Sequence, residues 1–166
     1  MSNKRISIVT WAAMIAACYV VVTLALAPIS YGEIQVRISE ALTILPLFTP
    51  AAIPGLFIGC IIANALGGAV LPDIIFGSLA TLIGAVGTYL IGRNIGRRTG
   101  TIGIATIPPI VSNAVIVPFV LKYAYGVPLP IPLMMLTVGI GEVISCGILG
   151  TTLGRVLERN AGRVFK

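Results

Sequence analysis

The stretch ISEALTILPLFT, residues 38–49, decides the fold. Its dozen residues would rise only about 18 Å as an α-helix, short of the roughly 30 Å of hydrocarbon that a spanning helix crosses. Hydropathy leaves it undecided; the charges around it do not. Stretches of about twenty apolar residues read as spans at roughly 7–27, 51–69, 73–92 and 131–153, and 102–121 makes a fifth despite Pro108 and Pro109. Nine of the eleven basic residues fall in three clusters: Lys4/Arg5, Arg93/Arg97/Arg98 and Arg155/Arg159/Arg163/Lys166. The positive-inside rule puts all three in the cytoplasm, so an even number of crossings separates consecutive clusters. Two spans lie between the second and third clusters, but only three between the first and second unless 38–49 also crosses. The predicted fold is an all-α membrane protein, a six-transmembrane-helix bundle with both termini cytoplasmic. Arg37 and Lys122 are the basic residues left outside.

Composition agrees. Of 166 residues, 57% are hydrophobic and 10% charged, and the mean hydropathy is +1.07, which leaves too much apolar surface for a water-soluble core. A single integral membrane domain over 1–166 is expected, because six spans with short connections use up the length. The net charge of +6 reflects topology rather than a nucleic-acid partner, since the basic residues lie between and beyond apolar stretches and not on one polar face. Lys4 and Arg5 precede an apolar run too long for the core of a cleaved signal peptide, so that run is read as the first span.

Lipid gives helices no hydrophobic reason to associate, so small residues four apart, which let backbones approach, are the packing signal. Gly55, Gly59, Ala63 and Gly67 form one such ridge, Gly84, Thr88, Gly92 and Gly96 a second, and Gly150 with Gly154 a third. All read as internal packing. In WAAMIAACYV, residues 11–20, Ala12 stands over Ala16 and Ala13 over Ala17; that smooth face suits an internal helix and a partner subunit equally. Pro46, Pro50 and Pro54 break the second and third spans near their junction, and Pro108–Pro109 breaks the fifth. Backbone groups freed at membrane depth have to be buried in protein or line a wet cavity, so these breaks mark a candidate pocket.

Few polar side chains lie within or beside the apolar stretches: Glu40, Asn64, Asp73, Asn113 and Glu142, with Arg37 just outside. Each is costly there, which makes function the default reading. Glu142, within GIGEVISCGILG (139–150), is the sharpest case, and Asn113 lies near mid-depth in the neighbouring span. A carboxylate and a carboxamide on adjacent helices can read the hydrogen-bonding edge of a heterocycle. Plainer readings stand beside these: Glu142 pairs with Lys122 or Arg37, Asn64 and Asn113 bond across helices, Asp73 is a water-facing N-cap, and Arg37 pairs with Glu40. The outer segment GEIQVRIS, residues 32–39, alternates polar and apolar residues like a half-buried extended lid.

The chain has no GxxxxGK[ST] phosphate loop and no His, and its Cys18, Cys60 and Cys146 are widely spaced among small and apolar residues. ATP binding of the P-loop kind, zinc binding and triad hydrolysis are therefore disfavoured, and the cysteines read as small buried hydrophobes. No enzymatic activity and no cofactor or metal are expected.

The run YGEIQVRISEALTILPLFTPAAIPGLFIGCIIANALGG, residues 31–68, closely resembles the QueT family, most specifically in RISEALT and TPAAIPGLFIG. The likeness extends through residues 93–100 to GIGEVISCGILG. It implies a substrate-binding S-component of an energy-coupling factor (ECF) transporter, an ABC-type importer in a prokaryotic cell membrane. Such a subunit captures a queuosine precursor from outside and docks on a transmembrane coupling subunit that carries two ATPase subunits, where the ATP is used. The resemblance also implies that Ala12, Ala13, Ala16 and Ala17 meet the coupling subunit. The implied ligand is a 7-deazaguanine such as 7-aminomethyl-7-deazaguanine. Chemical inference then gives Glu142 the guanine edge, Asn113 and Asn64 the carbonyl or ring nitrogens, and Glu40 or Asp73 the ammonium, with Arg37 beside them. Rival readings are an S-component for another small vitamin or nucleobase precursor, and a stand-alone secondary transporter in which Glu142 carries a proton.

Overall fold

The computed structural model describes residues 2–26, 37–96 and 99–164, with side chains over 6–26, 37–96 and 100–160. The described residues are all helical apart from short connections, with no strand among them. In chain order they form α1 (Ser2–Ala25), the 3₁₀-helix α2 (Ile38–Leu47), α3 (Ala52–Leu66), α4 (Leu71–Ile95), α5 (Thr99–Ala105), α6 (Ile107–Tyr123) and α7 (Ile131–Glu142). From α7 the chain continues without interruption through a π-helical segment (Val143–Gly150) into α8 (Thr151–Val164). Four stretches are long and apolar enough to cross a membrane: Ile6–Ala25, Leu71–Ile95, Gly100–Tyr123 and Ile131–Asn160; Ile38–Leu47 and Ala52–Leu66 are shorter apolar helices. The predicted lid residues 32–36 lie outside the described residues.

The short element is central, and its winding explains how. As a 3₁₀-helix it rises about 2.0 Å per residue, so its ten residues reach about 20 Å where an α-helix would reach about 15 Å. Contacts pin it along α4: Arg37 faces Asp73, Glu40 meets Thr81, and Leu47 lies against Gly92. The α4 residues between Asp73 and Gly92 cover about 28 Å at 1.5 Å per residue. Eight of the ten α2 side chains are buried, so α2 is wrapped by the other helices. It ends where Pro46 and Pro50 prevent continuation into α3.

The other boundaries follow the same chemistry. Pro72 and Pro132 sit in the first turns of α4 and α7, where a missing N–H costs nothing. Pro108 and Pro109 do likewise for α6: the fifth predicted span is interrupted at Thr106, and both prolines lie just beyond in the new first turn. Gly96, at φ +86°, closes α4 in a left-handed conformation that a side chain would strain.

Packing is polar and small inside, apolar outside. Along α4 the buried stripe is Asp73, Gly77, Thr81, Gly84 and Thr88, while Leu71, Ile75, Leu79, Ile83 and Leu90 are exposed; this is the pattern of a helix in lipid. The glycine ridges bring helices to backbone contact. A Cβ on Gly55 would lie 2.7 Å from the Ala12 carbonyl oxygen, and one on Gly59 3.1 Å from the Ala16 Cα. On Gly154 it would lie 2.7 Å from Ile102.

Those contacts divide the alanine face of α1. Ala12 and Ala16 are covered by α3, whereas Ala13 and Ala17, about 100° further round the helix, are exposed.

Candidate functional site

Glu40 and Glu142, far apart in sequence, face one another in the bundle core, 1% and 4% exposed. The all-round burial of α2 puts Glu40 in its first turn inside the protein. Glu142 is the last residue of α7, at the start of the π segment, which runs alongside α2. Ligating atoms of Glu40, Glu142 and Cys146 all lie within 4.8 Å of one another, a spacing that also suits a small cation.

One oxygen of Glu40 is held and the other is offered. The Tyr19 hydroxyl donates to Oε1, and the Thr81 hydroxyl approaches the same oxygen at 3.3 Å; Oε2 is buried and accepts no hydrogen bond. Across from it, the Cys146 thiol stands 3.2 Å from Glu142 Oε2 and 3.4 Å from both the Glu40 carbonyl oxygen and the Thr43 hydroxyl. Asn113 of α6 lies beside both carboxylates, and its amide nitrogen makes no well-formed hydrogen bond. The Ser145 hydroxyl, fully buried, is also unsatisfied. Buried polar atoms are normally paired, so a carboxylate oxygen, an amide N–H and a hydroxyl left open in one core describe a polyfunctional polar guest.

The remaining candidates form a second group toward the α2 N-terminus. Arg37 Nη2 lies 3.7 Å from Asp73 Oδ2, to which the Tyr125 hydroxyl donates at 2.9 Å; the same hydroxyl accepts the Val70 backbone N–H at 3.3 Å. Burial and the Asp73 carboxylate push the Tyr125 phenol up. Asn64 Nδ2 donates to the Asp73 carbonyl at 3.4 Å, leaving its Oδ1 buried and unpaired.

Several plainer readings are corrected by these contacts. Asp73 is 2% exposed and lies three residues beyond Val70, which holds the N-cap position, so it is no water-facing N-cap. Arg37 pairs with Asp73 rather than Glu40, and Lys122 donates to the carbonyls of Val127 and Leu129 rather than to Glu142. Sequence reasoning missed Tyr19 and Thr81 altogether. It took Cys146 for packing, although the four-residue spacing from Glu142 puts both on one face of a helix.

A groove of about 540 Å³ between α4 and α6, lined by Pro72, Phe76, Val115, Phe119 and Tyr123 among others, is far less polar. It opens on the apolar outside and suits lipid tails rather than a polar solute.

The sequence profile of the QueT transporter family matches residues 9–159. The chain belongs to the QueT transporter family. All site residues described above fall within the match. A relative, the queuosine precursor transporter QueT of Lactococcus lactis subsp. cremoris (strain MG1363), is 42% identical over 83 residues, 49% of this chain and 48% of the relative. The aligned stretch thus spans about half the length of that relative. No solved structure matches.

Proposed function

We propose that this QueT-family protein is the substrate-binding S-component of an ECF importer, with six membrane crossings and cytoplasmic termini, and that it captures a cationic 7-deazaguanine between Glu40 and Glu142. The observation that carries the reading is the buried pair of carboxylates with Glu40 Oε2 left open. A buried carboxylate is tolerable only with a compensating partner. A guanine edge supplies two adjacent N–H donors that one carboxylate accepts together, and an aminomethyl group supplies a cation for the other. Glu142 takes the guanine edge, Asn113 the ring carbonyl, and Glu40 the ammonium. Asp73, already engaged by Arg37 and Tyr125, serves with Asn64 to close the outer end of the site. The name of the Lactococcus relative and the family membership support the ligand class.

The chain carries no phosphate loop, so the work comes from partners: a coupling subunit and two ATPases. Since α3 already occupies Ala12 and Ala16, the exposed Ala13 and Ala17 are the part of the alanine face that meets the coupling subunit. Vesicles test this. Concentrative uptake of 7-aminomethyl-7-deazaguanine is expected only when the chain is reconstituted with its coupling and ATPase subunits and ATP; uptake by the chain alone would overturn the assignment in favour of a secondary transporter. In the complete system Ala17→Leu is expected to abolish uptake while leaving ligand affinity within about twofold, because the side chain points away from the site.

A further inference from the structure

We infer that the empty site keeps one proton between Glu40 and Glu142, and that capture of a cationic deazaguanine expels it, one proton for each ligand. The inference rests on the binding site proposed above and adds a second, exchangeable occupant to it.

Geometry requires such an occupant. Two carboxylates with ligating atoms within 4.8 Å, both almost wholly buried, cannot carry two uncompensated charges. Among the described residues, the groups around them do not supply the missing charge. From α1 comes Tyr19, from α3 Cys60, and from the π segment Cys146, all neutral when protonated; from α4 comes Thr81 and from α6 Asn113, which do not titrate. Arg37, at the head of α2, lies within electrostatic reach of both carboxylates, but its charge is already set against Asp73. Glu40 Oε2, with no donor of its own, is where the shared proton resides.

The charge balance then fixes the stoichiometry. An empty dyad with one proton carries one negative charge. A ligand that brings an ammonium and two N–H donors uses both carboxylates in ionised form, so the proton leaves and the dyad plus ligand again carries one negative charge. The cation replaces the proton, and the buried charge stays constant. An uncharged deazaguanine needs only the carboxylate facing its guanine edge and leaves the proton on the other.

Isothermal titration calorimetry of the full-length purified chain, run at one pH in two buffers of different ionisation enthalpy, counts the protons. For 7-aminomethyl-7-deazaguanine about one proton released per ligand is expected, with affinity rising about tenfold per pH unit where the proton is held. For 7-cyano-7-deazaguanine release close to zero is expected. Tight binding of the aminomethyl compound without proton release would overturn the shared proton while leaving the binding site standing. Equal release with both compounds would also overturn it, since the ligand's charge would then play no part. Failure of both compounds to bind would remove the site and the inference together.

Discussion

Replacing Glu142 with glutamine is expected to weaken binding of 7-aminomethyl-7-deazaguanine roughly 100-fold, about 3 kcal/mol, in a direct titration. Glutamine keeps the shape but exchanges one acceptor oxygen for an NH₂ group, which then faces the ligand's own N–H donors. The loss combines a charge-assisted hydrogen bond with a donor left unsatisfied in a dry site. The empty protein should not suffer, because with one proton shared by the dyad the exchange removes the one negative charge buried there. The signature is thus a melting temperature at or above that of the parent together with a ligand-induced stabilisation that is lost. A fold defect would lower both, and unchanged affinity would refute the role given to Glu142.

Adding one methyl group at Gly84 is expected to cost about 2–3 kcal/mol of stability. Its Cβ would stand 2.6 Å from the Pro109 Cα and 2.8 Å from the Pro109 Cβ, and neither a backbone atom nor a proline ring can rotate away. α4 and α6 would have to part. For a chain of this size the fall in melting temperature is roughly 5–10 °C, read in detergent by any fold-sensitive probe. Asn113, one turn beyond Pro109 on the same helix, would move with it, so ligand affinity should fall as well. Gly103→Ala is the matching control, since a Cβ there meets nothing within 4 Å, and it is expected to leave the melting temperature within about 2 °C.

Much of this arrangement was legible in the sequence where residues carry an unavoidable cost. Glu40, Asn113 and Glu142 stand out because a polar group in an apolar run has to be compensated, and the structure brings these three together. Charge parity singled out residues 38–49, but nothing in ISEALTILPLFT announces a 3₁₀-helix; that winding is imposed by the helices packed around α2. Tyr19, Thr81 and Cys146 were invisible for the opposite reason. Neutral residues that pack well in lipid raise no alarm until the carboxylates they hold are in place. The alanine face was ambiguous because Ala12/Ala16 and Ala13/Ala17 are the same motif one residue apart, and only the glycines of α3 decide which pair is covered. Arg37 looked like a partner for Glu40 three residues on, yet a contact across the bundle with Asp73 won over the local one.

Equilibrium titration of the purified chain, without partner subunits, against 7-aminomethyl-7-deazaguanine and against the aminomethylpyrimidine precursor of thiamine decides whether the two buried carboxylates form a receptor for a cationic deazaguanine. Saturable one-to-one binding of the deazaguanine, with no measurable binding of the pyrimidine, is the predicted result. Preference for the pyrimidine, or no binding of the deazaguanine, would contradict it.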